Sequence, residues 1–497
     1  MRSREGVLGR IDDWLNPIVV KELRQAMNGK FVASALLVLL AVQLIALGLI
    51  LVSGGDFSSS MTAGRDAFMI LQAILLAVSL LFVPAYTGAR LALERSDANV
   101  DLLFITTIRP VAIVWGKLFS ALVVTVLIFS ACMPFLVFTY WLRGIDLPSI
   151  FVMLSICFLE VAVCINLATL IACLPTGRVL KILLSLVSLF IFLSMFWSTV
   201  VGTSFWLLRL GIGTKLATWE FWEPATTVLL IVGAVIGLLF SCSTALLTPV
   251  SANRAMPVRT FITVTWLGSG LVSTIVSIVD HSDVAIAVWA LLSAIIFSGA
   301  FFVAVSERDS LGARVLRLIP TSAVRRRFAF FFFSGAANGI AWAAASTILT
   351  LAAFHWISRF AAVRFPGSPD EVWVWIIGLP LYAYCYAGSG RLLQQKLLSR
   401  WISQKYTWGV ALVLLFLGCV VPFLIGFLVF FGNWQKWDDI GGWMIFNPFA
   451  LDIDKYRGVY LTFAAAWAIV VTAVNASWLA DQVSDFRSPE PAEAQAK

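Results

Sequence analysis

Glu160 is the one carboxylate of this sequence that falls well inside a long apolar run, and that run contains no Lys or Arg to answer it. An ionised carboxyl at the centre of a bilayer costs about 2.5–3.5 kcal/mol, so it must face protein or water, or hold a proton. Two roles suit it: a substrate- or proton-linked site, or a hydrogen-bonded helix contact. A second chemically rich stretch is Glu94-Arg95-Ser96-Asp97-Ala98-Asn99-Val100-Asp101-Leu102-Leu103, which runs on through Arg109-Pro110 to Gly116-Lys117. It mixes charge with an apolar stripe, and taken by itself suits a structural surface helix as well as a docking element. Residues for catalysis are scarce. His281 and His355 each stand alone near the edge of an apolar run, where a polar interface role is expected rather than a metal ligand or base. All seven cysteines sit within apolar runs without a CxxC pair and read as small buried hydrophobes. No GxxxxGK[ST] phosphate loop occurs, and Gly388-Ser389-Gly390 lacks the lysine-serine ending that would cradle phosphates and Mg²⁺. No enzyme activity, metal or cofactor is therefore expected of this chain itself.

The elements that carry these residues are set by composition. Of 497 residues, 60% are hydrophobic and 12% charged, where soluble proteins have about a quarter charged. The chain must dissolve in lipid. Runs long enough to cross about 30 Å of hydrocarbon predict twelve transmembrane helices, near 31–53, 67–88, 118–140, 149–173, 182–201, 225–247, 261–279, 284–305, 328–354, 372–388, 408–431 and 459–479. With the N-terminus inside, most of the 35 Lys and Arg fall in cytoplasmic segments, so both termini are expected in the cytoplasm. The first run follows a basic stretch and is too long for a removable signal peptide, which predicts a retained span. The net charge of +8 is largely this topology signal, and no nucleic-acid partner is expected.

The loops repeat across the midpoint. A charged connector beginning Glu94-Arg95 follows the second span, and another beginning Glu307-Arg308 follows the eighth. The same offset aligns Leu103 with Leu316 and Leu102 with Val315, although Asp101 falls on Arg314 and Thr107 on Pro320. Tryptophan-rich loops precede spans six (Trp206, Trp219, Trp222) and twelve (Trp434, Trp437, Trp443). The expected fold is all-α and polytopic, with two six-helix halves over residues 1–250 and 251–480 and a disordered cytoplasmic tail over 481–497.

Three surface or packing signals remain. Asn16-Pro17 suits the start of a short amphipathic helix, with Val20, Leu23 and Met27 recurring at helical spacing and Lys21, Glu22, Arg24 and Gln25 on other faces. In the first connector, Ser96 can cap a helix in which Val100, Leu103, Phe104 and Thr107 share a face, ended by Pro110. In span nine, Gly335, Gly339 and Ala343 recur every four residues, a small face that lets another helix approach.

Asn16, Pro17, Glu22, Glu94, Arg95, Leu102, Leu103, Pro110, Gly116 and Lys117 together resemble the pattern of the permease subunit of ABC-2 type transporters. The resemblance covers residues 14–250 and includes the Trp-bearing loop before span six. Asn99 stands where the pattern has threonine, and over 251–497 the similarity rests on span count and loop length. It implies an ABC transporter permease, an exporter, in which Glu94, Arg95, Asp101, Leu102, Leu103 and Arg109, with Glu307 and Arg308 in the second half, act as coupling helices on a separate cytosolic ABC ATPase. ATP and Mg²⁺ would bind that ATPase, and either one chain supplies both permease units as a pseudo-dimer or two chains form a homodimer. Two rivals stay open: an ion-gradient-driven twelve-helix secondary transporter, and a membrane enzyme acting on a lipid-linked substrate. The first would favour charged pairs within spans, and the second clustered outer-loop acids, whereas here these, from Asp56 to Asp439, are scattered.

Overall fold

A computed structural model describes residues 17–53, 63–94, 109–175, 177–209, 212–249, 251–280, 282–360, 369–430 and 444–487. Among these residues every regular element is helical, and twelve helices are long and apolar enough to cross a membrane. This is an all-α, polytopic membrane protein. It divides into two compact units, Met1–Pro249 and Val250–Lys497, each with six of the twelve helices.

The first unit comprises α1 (Pro17–Asn28), α2 (Lys30–Ser53), α3 (Ala63–Glu94), α4 (Pro110–Trp141), α5 (Leu147–Cys173), α6 (Arg178–Arg209), the single turn α7 (Ile212–Lys215) and α8 (Trp219–Leu247). Prolines mark its starts. Pro17 opens α1, Pro110 opens α4 after an extended Arg109, and Pro148 lies in the first turn of α5; at such positions the missing N–H has no helical partner to lose. Helix α3 is central and packs against α2, α4, α5 and α6. Phe68, Leu71, Leu75, Leu80 and Val83 give it a fully buried stripe, met by Ile150, Cys157, Val161 and Ile165 of α5. By contrast α2, α6 and α8 turn Leu44, Leu183, Phe190 and Leu230 outward, a surface stable in hydrocarbon and not in water. Several hydroxyls within the spans bond to their own helix, as Thr125 does on the Ala121 carbonyl and Thr169 on that of Ile165.

The second unit comprises α9 (Ala255–Val279), α10 (Val284–Ala304), α11 (Ala313–Leu316), α12 (Ala323–Phe332), α13 (Ala336–Phe360), α14 (Pro369–Lys396), α15 (Thr407–Phe430) and α16 (Arg457–Asp485). Its core is aromatic. Trp266 stacks on Trp289 with centroids 5.8 Å apart, and Phe297 meets both Trp266 and Trp342 edge-on. Each of these indoles finds an acceptor: Trp266 on Thr350, Trp289 on the Trp266 carbonyl, and Trp342 on Thr263. A second cluster joins α14 to α16 and to the 3₁₀ turns at Pro448–Asp452 and Asp454–Tyr456. There the Tyr382 and Tyr386 hydroxyls donate to the carbonyls of Ile445 and Phe446.

Some helix bounds differ from the sequence expectation. The ninth span begins at Ala336 rather than 328, because residues through Phe332 form the separate helix α12. The break is at Gly335, whose φ of +149° is open to glycine and strained for side-chain-bearing residues. The tenth span is longer than 372–388 and continues through Arg391 to Lys396, since the Arg391 charge is met by Asp309. Helix α16 continues to Asp485, past the expected end of the second half at 480.

Candidate functional site

At the end of the first unit where α3 finishes and α4 begins, five charged side chains form a knot. Helix α1 packs against α4 and turns Val19, Glu22 and Ala26 inward. The sequence reading placed Glu22 away from the apolar face, but a carboxylate can be buried where cations meet it. Lys117, in the second turn of α4 and 3% exposed, sits 2.9 Å from Glu22 Oε1 and 2.6 Å from Glu94 Oε2. Arg90 of α3 lies 3.6 Å from Glu22 Oε2, donates to Gln25 and to the Tyr86 hydroxyl, and spans the Tyr86 ring. Lys21 closes the outer edge at 3.4 Å from Glu94. A cavity of about 20 Å³, lined by Glu22, Tyr86, Arg90, Lys117 and Ser120, has room for one water molecule.

The knot therefore fastens three elements that the sequence brings from separate places. Lys117 and Glu22 are far apart along the chain, and the pre-span helix, the end of the second span and the start of the third span meet through them. Of the expected docking residues, Glu94 belongs to this knot and Arg109 is exposed at the start of α4. Arg95, Asp101, Leu102 and Leu103, with Asn16, lie outside the described residues. So do His281 and the tryptophans at 434, 437 and 443.

A separate polar group lies inside the same unit. Glu160 on α5 accepts from the Thr199 hydroxyl of α6, while its Oε2 is enclosed without a hydrogen-bond partner. One turn away, Gln72 of α3 donates to Cys157 Sγ at 3.1 Å and to Thr203 Oγ1 at 3.2 Å. Glu160 is thus answered by a hydroxyl rather than a cation. Gln72 and Thr199 have no distinguishing local pattern in the sequence, since the contact arises only when three helices pack.

In the second unit the connector after α10 is held by buried arginines. Glu307 pairs with Arg259 of α9, accepts the Gly335 amide at 2.7 Å, and through its carbonyl accepts from Gln404. Arg259 also donates to the carbonyls of Phe331 and Phe333. Arg391, 1% exposed, pairs with Asp309 at 2.7 Å and lies 3.5 Å over the Trp478 ring. Arg308, between these two carboxylates, is exposed. Gly339 faces Ala304 so closely that a Cβ there would come within 2.6 Å of both the Ala304 Cβ and Arg259, and Ala343 is fully buried. Lys117, Arg259, Arg391 and Asp309 were not assigned partners from sequence. The signal that could have marked them is positional, because a charge at or within the end of an apolar run needs a counter-ion. Among the described residues no three His, Cys, Asp or Glu side chains converge as a metal site. Comparison with known proteins yields no matching family model, no matching curated protein and no matching solved structure.

Proposed function

We propose that this chain is the membrane-spanning permease of an ATP-driven exporter of the ABC-2 type, working with a separate cytosolic ATPase from the inner membrane of a bacterial cell. The observation that supports the reading is the knot of Glu22, Glu94, Arg90 and Lys117. The connector leaves α3 at Glu94 and rejoins the bundle at α4; the α4 end is fastened to α1 by the buried Lys117–Glu22 pair, and the α3 end by Arg90–Glu22 and the more exposed Lys21–Glu94 pair. A push on the connector is then shared by three helices instead of being lost in a loose loop. The energetic requirement is differential: ATP must favour the closed ATPase, and the connector must carry that preference to the bundle.

The test is a purified complex. A nucleotide-binding ATPase without membrane spans should co-purify with the full chain, and Leu102→Ala with Leu103→Ala should release it while helix content is unchanged. Trapping the complex with ATP and vanadate should alter hydrogen exchange in α1 and the first turns of α4, and Lys117→Met should abolish that response. A chain that purifies without any ATPase and still transports in vesicles would defeat the reading. A second reading, a transporter driven by an ion gradient, is favoured by the enclosed Glu160–Thr199 pair. It requires transport in ATPase-free vesicles under an imposed proton gradient, lost in Glu160→Gln.

A further inference from the structure

Residues 305–335, between α10 and α13, carry six arginines and two carboxylates. Both carboxylates point inward. Glu307 is committed to Arg259 and Asp309 to Arg391, so neither is left to neutralise the arginines of its own segment. Arg308, Arg314, Arg317, Arg325 and Arg327 are exposed and Arg326 is half-buried, and no described carboxylate forms an ion pair with any of them. The segment is nonetheless built. Val315, Ile319 and Phe333 are buried with Phe486, and Phe330 meets Phe486 edge-on at 5.3 Å.

We propose that this segment, with α12 as its contact helix, is an in-plane docking surface for the headgroups of anionic phospholipids. Three observations commit it to that occupant. First, at 100° per residue Val324 and Phe328 project on one side of α12, with Arg325 and Arg327 flanking them. Val324 is 64% exposed and Phe328 67%, an apolar strip that water does not favour. An apolar strip edged by arginines matches the acyl and phosphate layers of a leaflet, into which aromatic residues dip while guanidiniums stay at headgroup depth. Second, the segment leaves one candidate span at Ala304 and joins the next at Ala336, so both its ends lie at the membrane boundary. Third, the unpaired charge is of one sign, and clustered Arg beside a span attracts anionic lipid. This surface does not depend on what energy source drives the protein.

The experiment uses the full chain in a neutral detergent, titrated with phosphatidylglycerol or phosphatidylcholine and read by native mass spectrometry. Phosphatidylglycerol should be retained at least about tenfold over phosphatidylcholine. R325Q/R326Q/R327Q should remove most of that preference. K396Q/R400Q/K405Q, which deletes equal charge from the end of α14 and the loop that follows it, should keep it. Equal retention of both lipids by the native chain, or an unchanged preference in R325Q/R326Q/R327Q, overturns the proposal. Displacement of the lipid by inorganic phosphate at matched ionic strength also overturns it, because the surface would then read a free anion. If the triple variant does not fold, Phe328→Cys decides, labelled with an environment-sensitive fluorophore under conditions where the native chain takes up none. Its emission should shift to the blue in nanodiscs containing phosphatidylglycerol relative to phosphatidylcholine alone, and identical emission in the two overturns the proposal.

Discussion

Among the described residues, Lys117 is one of three buried, ion-paired cations, with Arg259 and Arg391. Its ammonium is enclosed between Glu22 and Glu94, so removing it leaves Glu22 buried beside a more distant Arg90. Breaking a buried pair from one side costs about 3–5 kcal/mol, because the abandoned charge keeps its desolvation penalty. Lys117→Met should therefore lower thermal stability in detergent markedly. Lys21→Met, whose pair with Glu94 is half in solvent, should change it by no more than about 1 kcal/mol. The double variant E22Q/K117M should be more stable than K117M alone, since neither full charge then remains unanswered. Equal effects of K117M and K21M would mean that the knot is not desolvated. Lys117 was visible in the sequence as the Gly-Lys at the start of the third span, but its partner was not. Nothing local in Val19, Glu22 and Ala26 distinguishes an inward carboxylate from an outward one until a cation from another helix is placed against it.

At the scale of elements, the join between α12 and α13 and the contact between α13 and α10 each rest on a glycine. Gly335 holds a φ of +149°, and Gly335→Val should cost about 1–3 kcal/mol through backbone strain. Gly339 lies against Ala304 and Arg259, and Gly339→Leu should cost about 1–3 kcal/mol through overpacking. Gly409, with open space around it, is the control: Gly409→Ala should leave stability unchanged or raise it by up to about 1 kcal/mol. Unfolding in detergent monitored by circular dichroism reads all three. Of the small face expected at Gly335, Gly339 and Ala343, only Gly339 and Ala343 lie on α13; Gly335 precedes that helix and faces Asn338 of its own segment rather than a neighbouring helix. The break that isolates α12 escapes the sequence reading because the apolar run from Phe328 is taken straight through Ser334-Gly335, whereas the backbone turns extended at Phe333 and then takes a positive φ at Gly335.

At the scale of the molecule, two compact units with six candidate spans each make the alternation of loops across the membrane a strong constraint. If both termini are cytoplasmic, Ser251→Cys and Ser310→Cys should react with an impermeant thiol reagent only from the inner face of sealed vesicles, and Asp280→Cys only from the outer face. The reverse pattern would invert the topology and remove any cytosolic ATPase from reach of the connectors. The basic segment carrying α12 would then face the other leaflet, so the same labelling bears on where its lipid partner must be.

The number of spans, the helical class and the approximate ends of most helices were determined by the sequence alone. Each of these depends on the length of a local apolar run measured against a bilayer of fixed thickness. Glu160 was likewise marked by position, as a charge where hydrocarbon was expected. What answers each buried charge was decided by tertiary structure: Lys117 with Glu22 and Glu94, Arg259 with Glu307, Arg391 with Asp309, and Glu160 with Thr199. The physical reason is that hydropathy is a property of a segment, whereas a counter-ion is a property of two helix faces in contact. Those faces are chosen by packing among residues distant in the chain.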